Sequence, residues 1–168
     1  MRVLTVTAPD INNGTGNRVT VWFAGCGHHC KGCQNEWTWK YDQGHDMQYA
    51  YDKLKTVLNK PYIDGVTFSG GDPLMQDDDS LCQLLDMIQW IREEYPGKTI
   101  WIYTGYTMEE LQKSSRSVLN DILDSADVLV DGKYNEQLRN LSIAFRGSEN
   151  QRIWDLHTKT VINLDNKI

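Results

Sequence analysis

The sequence predicts a single α/β domain over residues 1–168, built on a mainly parallel sheet. Short β-branched and aromatic runs alternate with longer runs of helical spacing, which is the rhythm of right-handed βαβ units. A chain of 168 residues suits one domain with one core, and no linker, internal repeat or low-complexity run divides it. The hydrophobic fraction of 40%, with six Trp and eight Tyr, belongs to an ordered globule.

The elements follow in order. "RVTVWFAG" (18–25) is a β-branched and aromatic strand that runs into a cysteine-rich loop. "MQYAYDKLKTVLNK" (47–60) has helical spacing and stops at Pro61. "DGVTFSGG" (64–71) is a short apolar strand closed by two glycines. "DDSLCQLLDMIQWIREEYPG" (78–97) opens with acidic residues suited to a helix N-terminus and ends at Pro96-Gly97. "KTIWIYTGY" (98–106) is a third strand with a terminal glycine. "TMEELQKSSRSVLNDILDSA" (107–126) reads as one helix started by a capping box of Thr107 and Glu110. "DVLVDGKY" (127–134) is a fourth strand, "RGSENQRIWD" (146–155) a polar loop flanked by two arginines, and the tail from 156 offers a last strand.

Composition narrows the function. The net charge of −6 and the lack of any Lys/Arg run exclude a dominant sequence-independent nucleic-acid role. "MRVLTVTAPD" has no secretory pattern, and no run approaches the roughly 20 apolar residues of a membrane span. The expectation is a soluble cytoplasmic protein whose four cysteines are not disulfide staples. Cys82 shares a helix with Leu81, Leu84, Leu85 and Ile88 and is expected to be a small buried apolar residue.

In parallel α/β sheets, ligands gather where strands end and lead into helices. The cysteine loop, "SGGDPL", "YTGY" and "VDGKY" each follow one of the four strands and so share one rim. The loop 25–35 reads Cys26-x-x-x-Cys30-x-x-Cys33. Thiolates are soft ligands, suited to iron–sulfur or zinc. A structural zinc site commonly takes a second ligand pair, which is missing, and His28 and His29 sit awkwardly inside the loop they would close. Three thiolates on a four-iron cluster leave one iron open for another ligand, so iron–sulfur is favoured while zinc remains the alternative.

With these residues in view, the chain resembles the radical S-adenosylmethionine enzymes, whose signature is Cys-x-x-x-Cys-x-x-Cys. "NNGTGNRVTVWFAGCGHHCKGCQNEWTW" resembles, more narrowly, the opening of the small activating enzymes of anaerobic ribonucleotide reductase. There a Gly-x-Gly-x-Arg stretch, here Gly14, Gly16 and Arg18, precedes the cluster loop, and Cys33, Asn35 and Trp37 or Trp39 match the segment after it. The likeness continues through the later motifs to about residue 155 and departs at Asn12-Asn13, where related chains often carry Asp before the first glycine.

The resemblance implies an incomplete parallel βα barrel, since a full one needs about 200 residues or more. It implies an oxidoreductase with a [4Fe-4S] cluster on Cys26, Cys30 and Cys33 and with S-adenosylmethionine on the open iron. One-electron cleavage would yield a 5′-deoxyadenosyl radical, which takes hydrogen from a glycine in the reductase catalytic subunit. No side chain is assigned a catalytic role, because the cofactors carry the hard chemistry. A low-potential donor such as a flavodoxin would supply the electron.

The implied cofactor contacts are Gly70, Gly71 and Asp72 at the methionine amino group, Lys133 at its carboxylate, Asp131 orienting polar groups, and Thr104 with Gly105 at the third strand end. Each has a plainer reading as a turn or strand end. Two other functions stand beside this one: an activase of another glycyl-radical enzyme of the formate-lyase type, and a noncatalytic zinc-binding interaction module. Few residues are left over for a lid, so the partner is expected to cover the reacting centre.

Overall fold

The computed structural model describes residues 1–165. Seven strands form one sheet whose spatial order is the chain order: β1 (Val3–Asp10), β2 (Arg18–Phe23), β3 (Gly65–Gly70), β4 (Thr99–Tyr103), β5 (Val128–Asp131), β6 (Arg152–Asp155) and β7 (Thr160–Ile162). The four strands β2 to β5 are parallel, as the βαβ rhythm predicts. The outer pairings β1–β2, β5–β6 and β6–β7 are antiparallel, so the fold is mixed α/β.

Alternation along each strand sorts the two faces. Val19, Val21 and Phe23 of β2, with Val66, Phe68, Ile100, Ile102 and Leu129, form the main core against four helices. These are α1 (Met47–Val57), α2 (Asp78–Glu94), α3 (Met108–Lys113) and α4 (Ser117–Ser125). Three of the four helix starts are set by side-chain caps, Asp46 to Tyr49 N, Asp77 to Ser80 N, and the Thr107–Glu110 capping box, while α4 follows Arg116 without one. The other face is more polar. It carries Arg18, Thr20 and Thr67, all fully buried, and a small cluster of Trp101, Val130, Ala144, Ile153 and Leu164.

Several expectations are corrected. The helix expected over 107–126 is two, because Ser114–Arg116 leave the helical path and Ser114 has extended backbone. β1 joins the sheet ahead of the first expected strand, and β6 occupies part of the stretch read as a polar loop. Cys82 lies one position beyond the buried Leu81, off the apolar stripe, and is exposed. The expected last strand is β7, and the end of that tail, 166–168, lies outside the described residues.

The shortage of residues for a cover also proves wrong. The strap 141–147 crosses the polar face: the Phe145 ring meets Trp101 edge-on at 5.5 Å, and its carbonyl accepts from Tyr103 Oη at 2.9 Å. Ala144 N donates to Asp165 at 2.8 Å and Arg146 pairs with the same carboxylate. Among the described residues no helix is long and apolar enough to cross a membrane.

Candidate functional site

The cysteine loop leaves the carboxyl end of β2 and is held by the ends of its neighbours. Gly25 N and Cys26 N donate to the carbonyls of Thr38 and Trp39 at 2.7 and 3.1 Å. Gly71 N donates to Phe23 O, and Asp72 N to Gly25 O, both at 2.8 Å. A Cβ on Gly71 would fall on the Gly25 carbonyl, so that glycine allows two backbones to touch. Gln76 extends the seam, its Nε2 lying 3.2 and 3.3 Å from the carbonyls of Ala24 and Gly25.

Asp72 is the hub. Its buried carboxylate accepts from Leu74 N at 2.9 Å, Gly105 N at 2.9 Å and Thr104 Oγ1 at 2.9 and 3.0 Å. Oδ2 also lies 2.8 Å from His28 Nε2. The structure thus brings Asp72, Thr104 and Gly105 together, as expected of residues at adjoining strand ends, and adds His28. A buried carboxylate needs partners, but the motif does not say that one comes from inside the cysteine loop. The His28 ring packs over Gly105, where a Cβ would strike it, and meets Tyr106 edge-on at 4.9 Å.

Asp131 and Lys133 lie apart from this hub. Asp131 is fully buried, accepts from Met108 N at 2.8 Å at the start of α3, and is paired with Arg152. Arg152 also grips Glu109, Nη1 and Nη2 lying 2.9 and 2.7 Å from its oxygens. Lys133 is exposed and lines a cleft of about 360 Å³ with Lys31, Tyr134, Glu136 and Asn150. Lys31 of the cysteine loop pairs with Glu136 at 3.1 Å.

The three loop cysteines are all free thiols. Burial pushes the Cys26 thiol up to about 11, against backbone hydrogen bonds from His28 and His29 that lower it. Cys30 is pushed up by burial and by Cys33 nearby, while a Tyr134 backbone hydrogen bond and Lys133 pull the other way. A metal centre here would displace thiol protons. Three soft donors on one loop fit an iron–sulfur cluster. With His28 turned to Asp72, the zinc reading loses a candidate ligand; among the described residues no three Cys, His, Asp or Glu side chains, the loop cysteines included, are grouped to hold a metal ion. Beside Cys33 opens a cavity of about 820 Å³, walled by Trp22, Ser69 and Tyr103 of the sheet and by the strap 141–147.

A family model described as "4Fe-4S single cluster domain" matches residues 12–154. The chain is 40% identical over 150 residues to the anaerobic ribonucleoside-triphosphate reductase-activating protein of Escherichia coli K12, covering 88% of this chain and 94% of that one. The chain belongs to the anaerobic ribonucleoside-triphosphate reductase-activating protein family. The activating protein of phage T4 is 36% identical over 146 residues (86% and 88% of the two chains), and that of Haemophilus influenzae 37% over 159 (91% and 97%).

In this member of the activating-protein family, the Gly-x-Gly-x-Arg stretch does its work far from the cysteines. Arg18 is fully buried and donates to Thr67 Oγ1 at 2.6 Å, Thr99 Oγ1 at 2.9 Å and Val66 O at 2.7 Å. It stacks on Trp101 at 5.3 Å. Burial lowers it to about 10. A Cβ on Gly14 would strike the Arg18 side chain, which accounts for the first glycine.

Proposed function

We propose that this chain activates an anaerobic ribonucleoside-triphosphate reductase by installing a glycyl radical on it. The observation that carries the reading is the cysteine loop tied through His28 and Asp72 to the ends of β3 and β4, beside a cavity that reaches Cys33. When bound, a [4Fe-4S] cluster and S-adenosylmethionine supply a carbon radical able to take hydrogen from a glycine Cα.

Cys26, Cys30 and Cys33 would hold the cluster, and the hub keeps their loop in one conformation without spending any of the three thiols. The strand-end backbone at Gly70 and Gly71, with Thr104 and Gly105, would orient the methionine end of the cofactor, while Asp72 fixes those segments relative to each other. Lys133, on the Cys30 side of the loop, would offer its ammonium to the cofactor carboxylate. Asp131 would act indirectly, holding Arg152 and the start of α3. Trp22, Tyr103 and the strap would keep water from the cavity.

The parallel strands β2 to β5 form the half-barrel in this reading, with the antiparallel strands extending its edges. A cytoplasmic setting and a low-potential donor such as a flavodoxin complete it. The test is an anaerobic mixture of reconstituted protein, reductant, S-adenosylmethionine and the reductase, followed by electron paramagnetic resonance. A glycyl-radical signal that needs all four components is expected. Its absence, with several irons bound per chain, would refute the reading.

A further inference from the structure

Beyond the hub at Asp72, the cysteine loop has a second side-chain contact: His29, inside it, packs on Trp39, which follows it. The two ring centroids lie 4.6 Å apart, with the planes tilted by 45°. Trp37 turns elsewhere, to Trp22 at 6.0 Å, and is half exposed. Of the two tryptophans that follow the cysteines, it is therefore Trp39 whose ring supports the loop. Its own position is fixed. The Trp39 carbonyl accepts from Cys26 N at 3.1 Å, its N–H donates to Glu36 O at 3.2 Å, and the carbonyl of the buried Thr38 accepts from Gly25 N at 2.7 Å.

His29 is a residue that needs support. Its φ is +48°, left-handed backbone that a side chain resists, and among the described residues only Phe145 and Lys159 share that state without being glycine. Phe145, too, has its ring against a tryptophan, Trp101, while Lys159 lies in the exposed turn between β6 and β7. The conformation bears on Cys26. Gly27 N donates to Met75 Sδ at 3.1 Å, whereas the next two N–H groups, of His28 and His29, turn back to the Cys26 sulfur. Rotation about the His29 N–Cα bond moves that amide relative to Cys30, so φ at position 29 fixes how the turn round Cys26 and the second thiol face each other.

We infer that Trp39 is a positioning residue for the cysteine loop: its ring holds His29 in the left-handed conformation and, through the amides this turns to Cys26, sets the reduction potential of the cluster. The inference rests on Cys26, Cys30 and Cys33 holding that cluster. Hydrogen bonds to the sulfurs are among the levers on an iron–sulfur potential, and losing one makes the cluster harder to reduce. Trp39 touches neither cluster nor substrate in this role and acts through His29 alone.

The test compares wild type, Trp39→Ala, Trp39→Phe, His29→Gly and the double variant Trp39→Ala/His29→Gly, each reconstituted anaerobically in the intact chain without the reductase. Each is titrated potentiometrically, with the reduced cluster read by electron paramagnetic resonance, and its loss of iron to a chelator is timed. Trp39→Ala should show a lower midpoint potential and lose iron roughly tenfold faster than wild type. Trp39→Phe, which keeps an aromatic face, should stay near wild type. Glycine takes positive φ without support, so His29→Gly should also stay near wild type and the double variant should recover most of the loss. A Trp39→Ala variant indistinguishable from wild type overturns the inference. So does a double variant no better than Trp39→Ala, which would make the tryptophan a packing residue only. Where Trp39→Ala takes up no cluster at all, recovery of iron in the double variant decides in the same way. A wild type without a cluster removes the cluster reading and this inference together, whereas a normal cluster with potentials unchanged across the variants leaves the activating function standing.

Discussion

His28 Nε2 lies 2.8 Å from Asp72 Oδ2, and this contact joins the cysteine loop to the same carboxylate that gathers the end of β4 through Thr104 and Gly105. Replacing Asp72 by Ala removes the acceptor from three buried or half-buried donors at once, each costing about 1–3 kcal/mol. We expect the melting temperature of the metal-free chain to fall by roughly 10 °C or more, at about 2–4 °C per kcal/mol. His28→Ala should lower melting by much less, yet reduce iron retained after gel filtration. Equal iron retention in His28→Ala and wild type would argue against the hub.

Cysteine replacement separates the loop from the helix. Cys26→Ala, Cys30→Ala and Cys33→Ala should each lose the intact cluster and the activity. Cys82→Ala should keep both, since Cys82 sits exposed on α2, outside the loop. Iron analysis and glycyl-radical yield on the four variants check this, and cluster loss in Cys82→Ala would contradict the three-thiol assignment.

At Gly71 the obstacle to a side chain is the protein itself. The added Cβ of Gly71→Ala meets the Gly25 carbonyl one residue before Cys26, so the cluster loop must shift. We predict lower iron content together with weaker cofactor binding, measured by iron assay and isothermal titration on the same preparation. Weaker binding at full iron content would instead mean that Gly71 faces the cofactor.

Arg18 makes a prediction remote from the cysteines. Arg18→Lys cannot reproduce hydrogen bonds to two hydroxyls and three carbonyls, and it leaves several buried acceptors without donors. A loss of about 2–4 kcal/mol is expected from urea unfolding. A change below about 0.5 kcal/mol would mean that water replaces the guanidinium.

The Glu109–Arg152 pair gives a pH dependence. Hydrogen bonding by Arg152 lowers Glu109 from its ordinary 4.5 to about 2. A carboxylate lowered in the folded state contributes stability above its unfolded value and loses it as pH falls toward the folded value. The stability advantage of wild type over Glu109→Gln should therefore be full at pH 6 and shrink between about pH 4.5 and 2, read as the gap between urea midpoints at pH 6 and pH 3. A gap that does not change with pH would rule out this titration.

Much of the site was legible because its parts are local. Cys26, Cys30 and Cys33 lie within eight positions, and Gly70 to Asp72 and Thr104-Gly105 end strands whose apolar runs are plain in the sequence. The His28–Asp72 contact spans 44 residues, and only the parallel register of β2 with β3 brings its two halves together. Asp131 is readable as a strand-end carboxylate, but its engagement with Arg152 depends on β6, a four-residue strand with a charge at each end that resembles a loop. The strap 141–147 has no periodic pattern. Its hold on the sheet comes from Phe145 meeting Trp101, two aromatics with no local signal of their pairing.

The agreement of strand order with chain order bears on how the protein is made. Each strand pairs with the one synthesised just before it, so the sheet can grow by successive additions as the chain emerges. The cysteine loop acquires Asp72 as soon as β3 docks, and Thr104 and Gly105 when β4 follows. Its scaffold is therefore complete while the C-terminal third is still unmade. The strap, which walls the cavity, lies in that last third and reaches the sheet after the scaffold.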